Sequence, residues 1–557
     1  MNNRVKLILS ILLVIFMLQA VCSMRLKSPT WDETNYFGLG YYLLKYRQWD
    51  VPASTLHPPL SYYLHSLSYL FYDADESAWD LPSSLKCPEC SNFTNPTAGL
   101  KLLTDCRYPK DRVLFWSRIT TIFIALILVL FLWKWTYEIY GSLSALFALF
   151  LFSFSPNILA HSRLITPDLA LTCFNFISVY YLWKVVKENR WSSIILCSIA
   201  LGFALLSKYS AALLLPTYLI LAVFVFFSKE SVYLPAKFPF SRFLMKKGSL
   251  FKVLRLGSLL LIISIMAIFL LQLGYMFHLE YYIKGAIHQW KHADKGHPTF
   301  LMGMYSTQGW WFYYLIAFAI KTPLPLLIFL FLSFVFYKKN HNRSFLNQAF
   351  MLIPVVVYFL FFSTKLLCIG LRYILPIYPF LFMQASTVVG FRFKSRKTLS
   401  RLIIAVIFCW YLKSSLGIYP HYLAYFNEIV GGADSGYRYL VDSNLDWGQD
   451  LKGLGIYMRK KGIDRIHLSY FGAADPHYYG IKYDWMPSYY LPSDYLGEDI
   501  KVRRFKIPTS GIVAISATNL QNVYFSDKRF YDWLKRYEPI YKIGYSIFIY
   551  DLDQSVK

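Results

Sequence analysis

Charge is scarce in this sequence: Asp, Glu, Lys and Arg make up 16% of 557 residues, while 56% are hydrophobic. A soluble domain carries roughly a quarter charged residues, so the composition excludes an ordinary water-soluble enzyme and makes lipid the principal solvent. Acidic residues are the scarcest, 32 Asp and Glu against 57 Lys and Arg, for a net charge of +25. In a soluble chain that excess would point to nucleic acid. Here the basic residues cluster in short stretches between apolar runs, so they report membrane topology and imply no nucleic-acid partner. The chain lacks an internal repeat of fixed period and any low-complexity tract, against a solenoid or a repeat-built transporter. No glycine-rich nucleotide loop follows a strand.

Long apolar runs are abundant. At about 20 residues per span, the sequence predicts about eleven: 5–23, 113–135, 143–160, 167–185, 192–206, 209–227, 253–277, 309–337, 347–363, 373–390 and 402–418. The first has a basic start but lacks a clear small-residue cleavage site, and reads as a retained span. With a cytoplasmic N-terminus, the inside loops carry Lys184, Lys187 and Arg190, the basic residues from Lys229 to Arg255, Lys338, Lys339 and Arg343, and the run from Arg392 to Arg401. The positive-inside rule then places loop 24–112, segment 278–308 and everything from about residue 419 outside. The expected organisation is an all-α transmembrane domain over 1–418 and an extracytoplasmic domain over 419–557. In the latter, helix-like stretches 447–461 and 528–537 alternate with strand-like 466–471, 512–517 and 540–551, predicting a small α/β unit.

Chemistry can begin at Thr30-Trp31-Asp32-Glu33, just beyond the first span. Two adjacent carboxylates beside low-dielectric lipid suit a general base. Alternatively, Asp32 caps a helix over 35–44 with Glu33 in its first turn. His57-Pro58-Pro59-Leu60 fixes an extended or turning backbone that either presents His57 to the membrane surface or simply starts a helix. Arg118, Arg163, Asp168, Lys208, Lys365 and Arg372 stand at outward span ends, where the topology rule disfavours the basic ones. They either hold an anionic lipid headgroup by charge-assisted hydrogen bonds or snorkel. Lys321, in Lys321-Thr322-Pro323, lies deep in the eighth span or at its outer mouth.

In this order and topological setting the sequence resembles bacterial membrane glycosyltransferases of the protein O-mannosyltransferase and aminoarabinose-transferase superfamily, over most of its length. The resemblance rests on Trp31-Asp32-Glu33, His57-Pro58-Pro59-Leu60, Arg118, Thr166-Pro167-Asp168 and residues 202–209, GFALLSKY. It extends through residues 296–303, GHPTFLMG, then Gly309-Trp310-Trp311, Lys321-Thr322-Pro323, Arg372-Tyr373-Ile374-Leu375-Pro376, Tyr425-Phe426-Asn427-Glu428 and residues 442–450, DSNLDWGQD. It implies a glycosyltransferase-C fold in a bacterial inner membrane, acting at the outer leaflet. It also implies a polyprenyl-phosphate sugar donor, a protein, lipid or glycan hydroxyl as acceptor, and an inverting displacement with no cofactor and no required metal. Asp32 would be the base, with Glu33 beside it and Asp168 assisting acceptor placement. Arg118, Lys208 and Arg372, with Lys321, would face the donor phosphate; His57 and His297 are candidate substrate contacts. Leu56 and His57 stand where the aminoarabinose branch has an acid and a lysine, so a metal site like that branch's is not expected. Tyr373 replaces a frequent histidine, and no acid/base role is assigned to it.

Other signals point to structure. Cys22, Cys173, Cys197, Cys368 and Cys409 lie in or beside apolar runs as small hydrophobes. Cys87 and Cys90 with Cys106 suggest either zinc or one disulfide, with the disulfide favoured. Asp442-x-Asn444-x-Asp446 begins like a calcium loop but has Trp447 at position six and Gly453 at position twelve, so Asp446 reads as a helix cap. His278, His288, His292 and His297 fit only a weak zinc spacing. Two other functions share these features: a flippase or transporter for a lipid-linked glycan, which needs polar groups through the midplane, and a non-catalytic scaffold.

Overall fold

The computed structural model describes residues 2–47, 49, 52–68, 110–188, 190–235, 238, 244, 246, 248–335, 344–364, 367–390, 397–488 and 505–554. Cys87, Cys90 and Cys106 lie outside the described residues, as do Lys338, Lys339, Arg343, Lys365, Arg392, Lys394 and Arg396.

Each of the eleven apolar runs is helical over part or all of its length. The helices are α1 (Asn3–Met24), α2 (Glu33–Tyr46), α3 (Leu60–Ser66), α4 (Lys110–Tyr140), α5 (Ser142–Ser153), α6 (Pro156–His161), α7 (Pro167–Lys187), α8 (Trp191–Ser207) and α9 (Leu214–Phe227). They continue with α10 (Ser249–Gly274), α11 (Leu279–Lys295), α12 (Tyr313–Lys321), α13 (Leu324–Val335), α14 (Phe345–Ser363), α15 (Tyr378–Ser386) and α16 (Lys397–Leu416). The chain is a multi-pass membrane protein, although among the described residues six helices are long and apolar enough to cross a bilayer alone, or seven counting α12 and α13 as one broken span. The shortfall from eleven comes from interruptions. Pro323 holds Thr322 in an extended conformation, which ends α12, and α13 leaves at 108°. The third run divides into α5 and α6 around Ser155, whose hydroxyl accepts from the Ile158 amide, with Pro156 at the first helical position.

Burial orders the bundle. Of the best membrane-length window of α7, 83% is buried, against 22% for α1 and for α10, so α7 is central and the other two face lipid. Outside the spans, α2 and α3 pack closely; a Cβ on Gly40 would stand 2.0 Å from the Tyr62 carbonyl oxygen, so glycine sets that approach.

The C-terminal region is α/β, as its sequence pattern predicts. Strands β3 (Arg465–Ser469), β4 (Lys482–Trp485), β5 (Ile512–Ser516), β6 (Tyr541–Ile543) and β7 (Ile547–Asp551) form a sheet of order β4-β3-β5-β7-β6. The β4-β3 and β3-β5 pairs are parallel, while β5-β7 and β7-β6 are antiparallel. A hairpin of β1 (Thr299–Leu301) and β2 (Met304–Ser306) stands apart, in the segment before α12. One sheet face packs under α17 (Leu451–Lys461), whose Leu451, Leu454 and Met458 meet Ile466, Leu468, Ile481 and Ile549. On the other face, Val513, Ile515 and Phe548 join the core of the membrane bundle. The predicted strand 540–551 is two strands because Gly544 and Tyr545 turn with positive φ. The predicted helix 528–537 reduces to a 3-10 turn, Asp532–Arg536.

Backbone bonds fasten this unit to the loop after α1. The Ser28 amide donates to the Gln449 carbonyl at 3.0 Å, and the Trp31 amide to the Trp447 carbonyl at 3.0 Å. The Ser28 hydroxyl donates to the Gly448 carbonyl and accepts from the Leu451 amide. The acidic pair of residues 32 and 33 therefore starts from a pinned backbone.

Candidate active site

Adjacent in sequence, Asp32 and Glu33 enter two separate networks. Glu33 is completely buried, and its Oε1 accepts from Arg118 Nε at 2.8 Å and from the Ile165 amide at 2.9 Å. Its Oε2 accepts from Arg118 Nη2 at 2.6 Å, the Thr30 amide at 2.7 Å and the Thr30 hydroxyl at 3.1 Å. Burial alone would raise this carboxyl, but Arg118 and these donors hold it below the ordinary glutamate value. Arg118 also donates to the carbonyls of Met24, Lys27 and Ser28. These bonds occupy both groups, so Glu33 has no oxygen for an acceptor and Arg118 no face for a phosphate. Through these bonds they tie α1, the 24–30 loop, α4 and the turn before α7 together.

Asp32 points the other way. It occupies the cap position of α2, but its side chain makes no capping bond. Oδ2 instead accepts from Arg372 Nη1 at 2.7 Å. Arg372 stands 3.9 Å from Asp168 Oδ2, and Lys208 Nζ donates to Asp168 Oδ1 at 2.6 Å. The order Asp32, Arg372, Asp168, Lys208 alternates sign and sums to zero. Such a row holds its members in place without large net repulsion.

Local structure explains each position. Lys208 is an extended residue ending α8, and Asp168 lies in the first turn of α7 after Pro167, at the positive end of the helix dipole. Arg372 lies in a 3-10 turn, Leu371–Ile377, that follows Gly370. A Cβ at Gly370 would come 2.4 Å from the Ser443 hydroxyl, so glycine lets the C-terminal region approach Arg372. Aromatic faces support both cations: Arg372 lies 4.2 Å from the Trp447 ring centre, and Lys208 lies 4.2 Å from that of Tyr373. Exposure then separates the carboxylates. The Asp32 side chain is 22% exposed, and those of Asp168 and Glu33 are 0%. Asp32 alone of the three meets solvent.

Polar atoms without partners surround this row: Asp168 beyond its Lys208 bond at Oδ2, Arg372 at Nε, His57 at Nδ1 and His161 at Nδ1. The His57 ring stacks on Tyr36 at 5.6 Å. Burial, with Lys208 nearby, lowers its pKa to about 3, which keeps the ring neutral. His297 Nδ1 donates to the Pro298 carbonyl at 3.0 Å, and the ring packs edge-on to Tyr524. The Tyr524 hydroxyl in turn donates to Asp442. Burial raises the Asp442 carboxyl to about 6 despite that bond.

Lys321 is elsewhere. Its ammonium donates to the carbonyls of Leu423 at 2.7 Å and Asn444 at 2.5 Å and lies 4.3 Å from the Phe426 ring centre, a buried knot under the C-terminal region. In this arrangement the carbonyls of Leu423 and Asn444 take two donors of the Lys321 ammonium. Asp446 is no helix cap: Asp450 precedes α17, and Asp446 Oδ2 accepts from the Thr518 amide. Sequence reasoning passed over Tyr36 and His161, and gave Asp442 and Tyr373 no place beside the charged row. Tyr36, four residues after Asp32 on one helix, had a usable spacing signal.

Residues 112–244 match the profile of the dolichyl-phosphate-mannose-protein mannosyltransferase family. The matched segment contains Asp168 and Lys208, whereas Asp32 and Arg372 lie in sequence on either side of it. No curated protein matches the chain. Among solved structures, ArnT from Cupriavidus metallidurans bound to undecaprenyl phosphate is similar at 11% identity over 99% of this chain and 98% of that one, with a TM-score of 0.48. The S. cerevisiae Pmt1-Pmt2 O-mannosyltransferase complex bound to the sugar donor gives 17% identity, 51% and 34% coverage and a TM-score of 0.34. The Archaeoglobus fulgidus oligosaccharyltransferase AglB, in complex with an inhibitory peptide and a dolichol-phosphate, gives 14%, 81% and 58%, and 0.41.

Proposed function

We propose that this chain is an inverting glycosyltransferase that moves a sugar from a polyprenyl-phosphate donor to a hydroxyl of a protein, lipid or glycan at the outer face of a bacterial inner membrane. The observation that carries the reading is the partly exposed carboxylate of Asp32 in one charged row with two cations, Arg372 and Lys208, that rest on aromatic faces. The family match over residues 112–244 supports a lipid-phosphate sugar donor.

In this mechanism Asp32 accepts the proton of the acceptor hydroxyl as its oxygen attacks the anomeric carbon. The bond from that carbon to the phosphate oxygen breaks, and the departing phosphate keeps the electron pair. Charge grows on the phosphate during the step, so donors fixed beforehand lower the barrier. Arg372 and Lys208 supply them. Asp168 positions both cations, and neutral His57 is suited to a sugar hydroxyl. No metal is needed for these roles.

Lys208→Ala and Arg372→Ala should each weaken binding of a polyprenyl-phosphate sugar more than Lys284→Ala, which removes an equal charge from α11. Equal effects of all three would remove the phosphate assignment. Reconstituted protein should release polyprenyl phosphate with glycosylated acceptor. Donor crossing vesicles without transfer would instead identify a flippase.

A further inference from the structure

A second group of buried charges lies behind the first, between the loop after α1, the turn before α7 and the C-terminal region. Lys27 Nζ pairs with Asp450 and is 2.6 Å from His421 Nδ1. Asp450 also accepts from Gln449 Nε2 at 2.9 Å and from the Ser546 hydroxyl at 2.7 Å. Arg118 closes one side, already bound to Glu33 and three carbonyls.

Arg163 is the unexplained member. It is 2% exposed, and its Nε and Nη1 have no hydrogen-bond partner. Among the described residues no carboxylate lies within ion-pair distance of it. The Tyr422 ring covers one face at 5.5 Å. A cavity of about 10 Å³, lined by Arg163, Lys27, Arg118, Gln449 and apolar Ala160, Leu164 and Leu423, adjoins it. Three cations, Lys27, Arg118 and Arg163, stand against two carboxylates, Glu33 and Asp450, leaving one positive charge uncompensated in a buried site. A buried guanidinium without a partner is costly. Burial and Arg118 lower Arg163 to about 10, and burial, against the pull of Asp450 and with Arg163 and Arg118 adding to it, lowers Lys27 to about 8. Both remain cations at neutral pH.

We infer that this cavity binds one small monovalent anion of chloride size, held by Arg163 with Lys27 beside it. The charge count calls for a single negative charge, and the volume, about the room of one water, excludes phosphate or a lipid headgroup. The anion would join three segments at one point: the loop that carries Asp32, the turn that leads to Asp168, and Gln449 of the C-terminal region. It lies apart from the proposed donor site and does not rest on that reading.

The test uses the purified full chain in detergent, with thermal unfolding followed in sodium chloride, bromide or gluconate at equal ionic strength. Chloride and bromide should raise Tm by about 2 °C or more over gluconate, with saturation, and Arg163→Gln should abolish the difference. Equal Tm in all three salts, or an unchanged chloride effect in Arg163→Gln, overturns the site. Should Arg163→Gln not fold, the wild-type chain crystallised in bromide decides. Anomalous scattering beside Arg163 is the expected result, and a water there contradicts the inference.

Discussion

Replacing Glu33 by Gln separates the two neighbouring acids. Five donors converge on the Glu33 carboxylate: two nitrogens of Arg118, the amides of Thr30 and Ile165, and the Thr30 hydroxyl. Glutamine keeps one acceptor oxygen and turns the other into an NH2 group facing donors. It also removes, among the described residues, the only negative charge bonded to Arg118, which is itself 1% exposed. Breaking one partner of a buried pair costs about 3–5 kcal/mol, a large share of the roughly 5–15 kcal/mol that holds a domain folded. Arg118 retains its three carbonyl contacts, which favours the lower end. Glu33→Gln should therefore unfold at clearly lower temperature, with lower yield, while the folded fraction keeps most of its transfer activity per molecule. Thermal unfolding and transfer assays on the monodisperse fraction measure both. A variant that melts like the wild type but has lost transfer would refute the structural assignment and return Glu33 to the chemistry.

Lys321→Met should lower stability by about 1–3 kcal/mol, the cost of leaving the Leu423 and Asn444 carbonyls unpaired, while donor affinity stays unchanged; a selective loss of donor binding would restore Lys321 to the headgroup site. Burial raises Asp446 to about 8 from an ordinary value of 3.8, so the folded chain keeps a proton that the unfolded chain has released. Its contribution to stability therefore falls as pH rises from about 4 to about 8, and Asp446→Asn should flatten that part of the pH–Tm curve; an unaltered curve would contradict the buried, protonated carboxyl.

Several features were legible in the sequence because they depend on pattern alone. Apolar runs located the helices of the bundle, and alternation located β3, β5 and β7. Helix interruptions were harder: Pro323 was visible, but a 108° bend depends on what α12 and α13 pack against. At the site, the off-rule charges Asp168, Lys208 and Arg372 were singled out by position, and they converge. Arg118 carried the same signal but lies in a separate network with Glu33 and three backbone carbonyls, which sequence does not display. The capping alternative for Asp32 was settled by a partner 340 residues away, Arg372. Asp442 and Trp447 were noticed as part of a failed calcium loop; their nearness to Arg372 depends on the clamp between residues 28–31 and 447–451.

The central claim is that Asp32 is the base. Asp32→Asn keeps size and can still accept from Arg372, so the purified variant should fold and bind a polyprenyl-phosphate sugar. Its rate of sugar transfer should fall by about 100-fold or more, as expected when a general base is lost. Transfer at the wild-type rate by a folded Asp32→Asn variant would contradict the account.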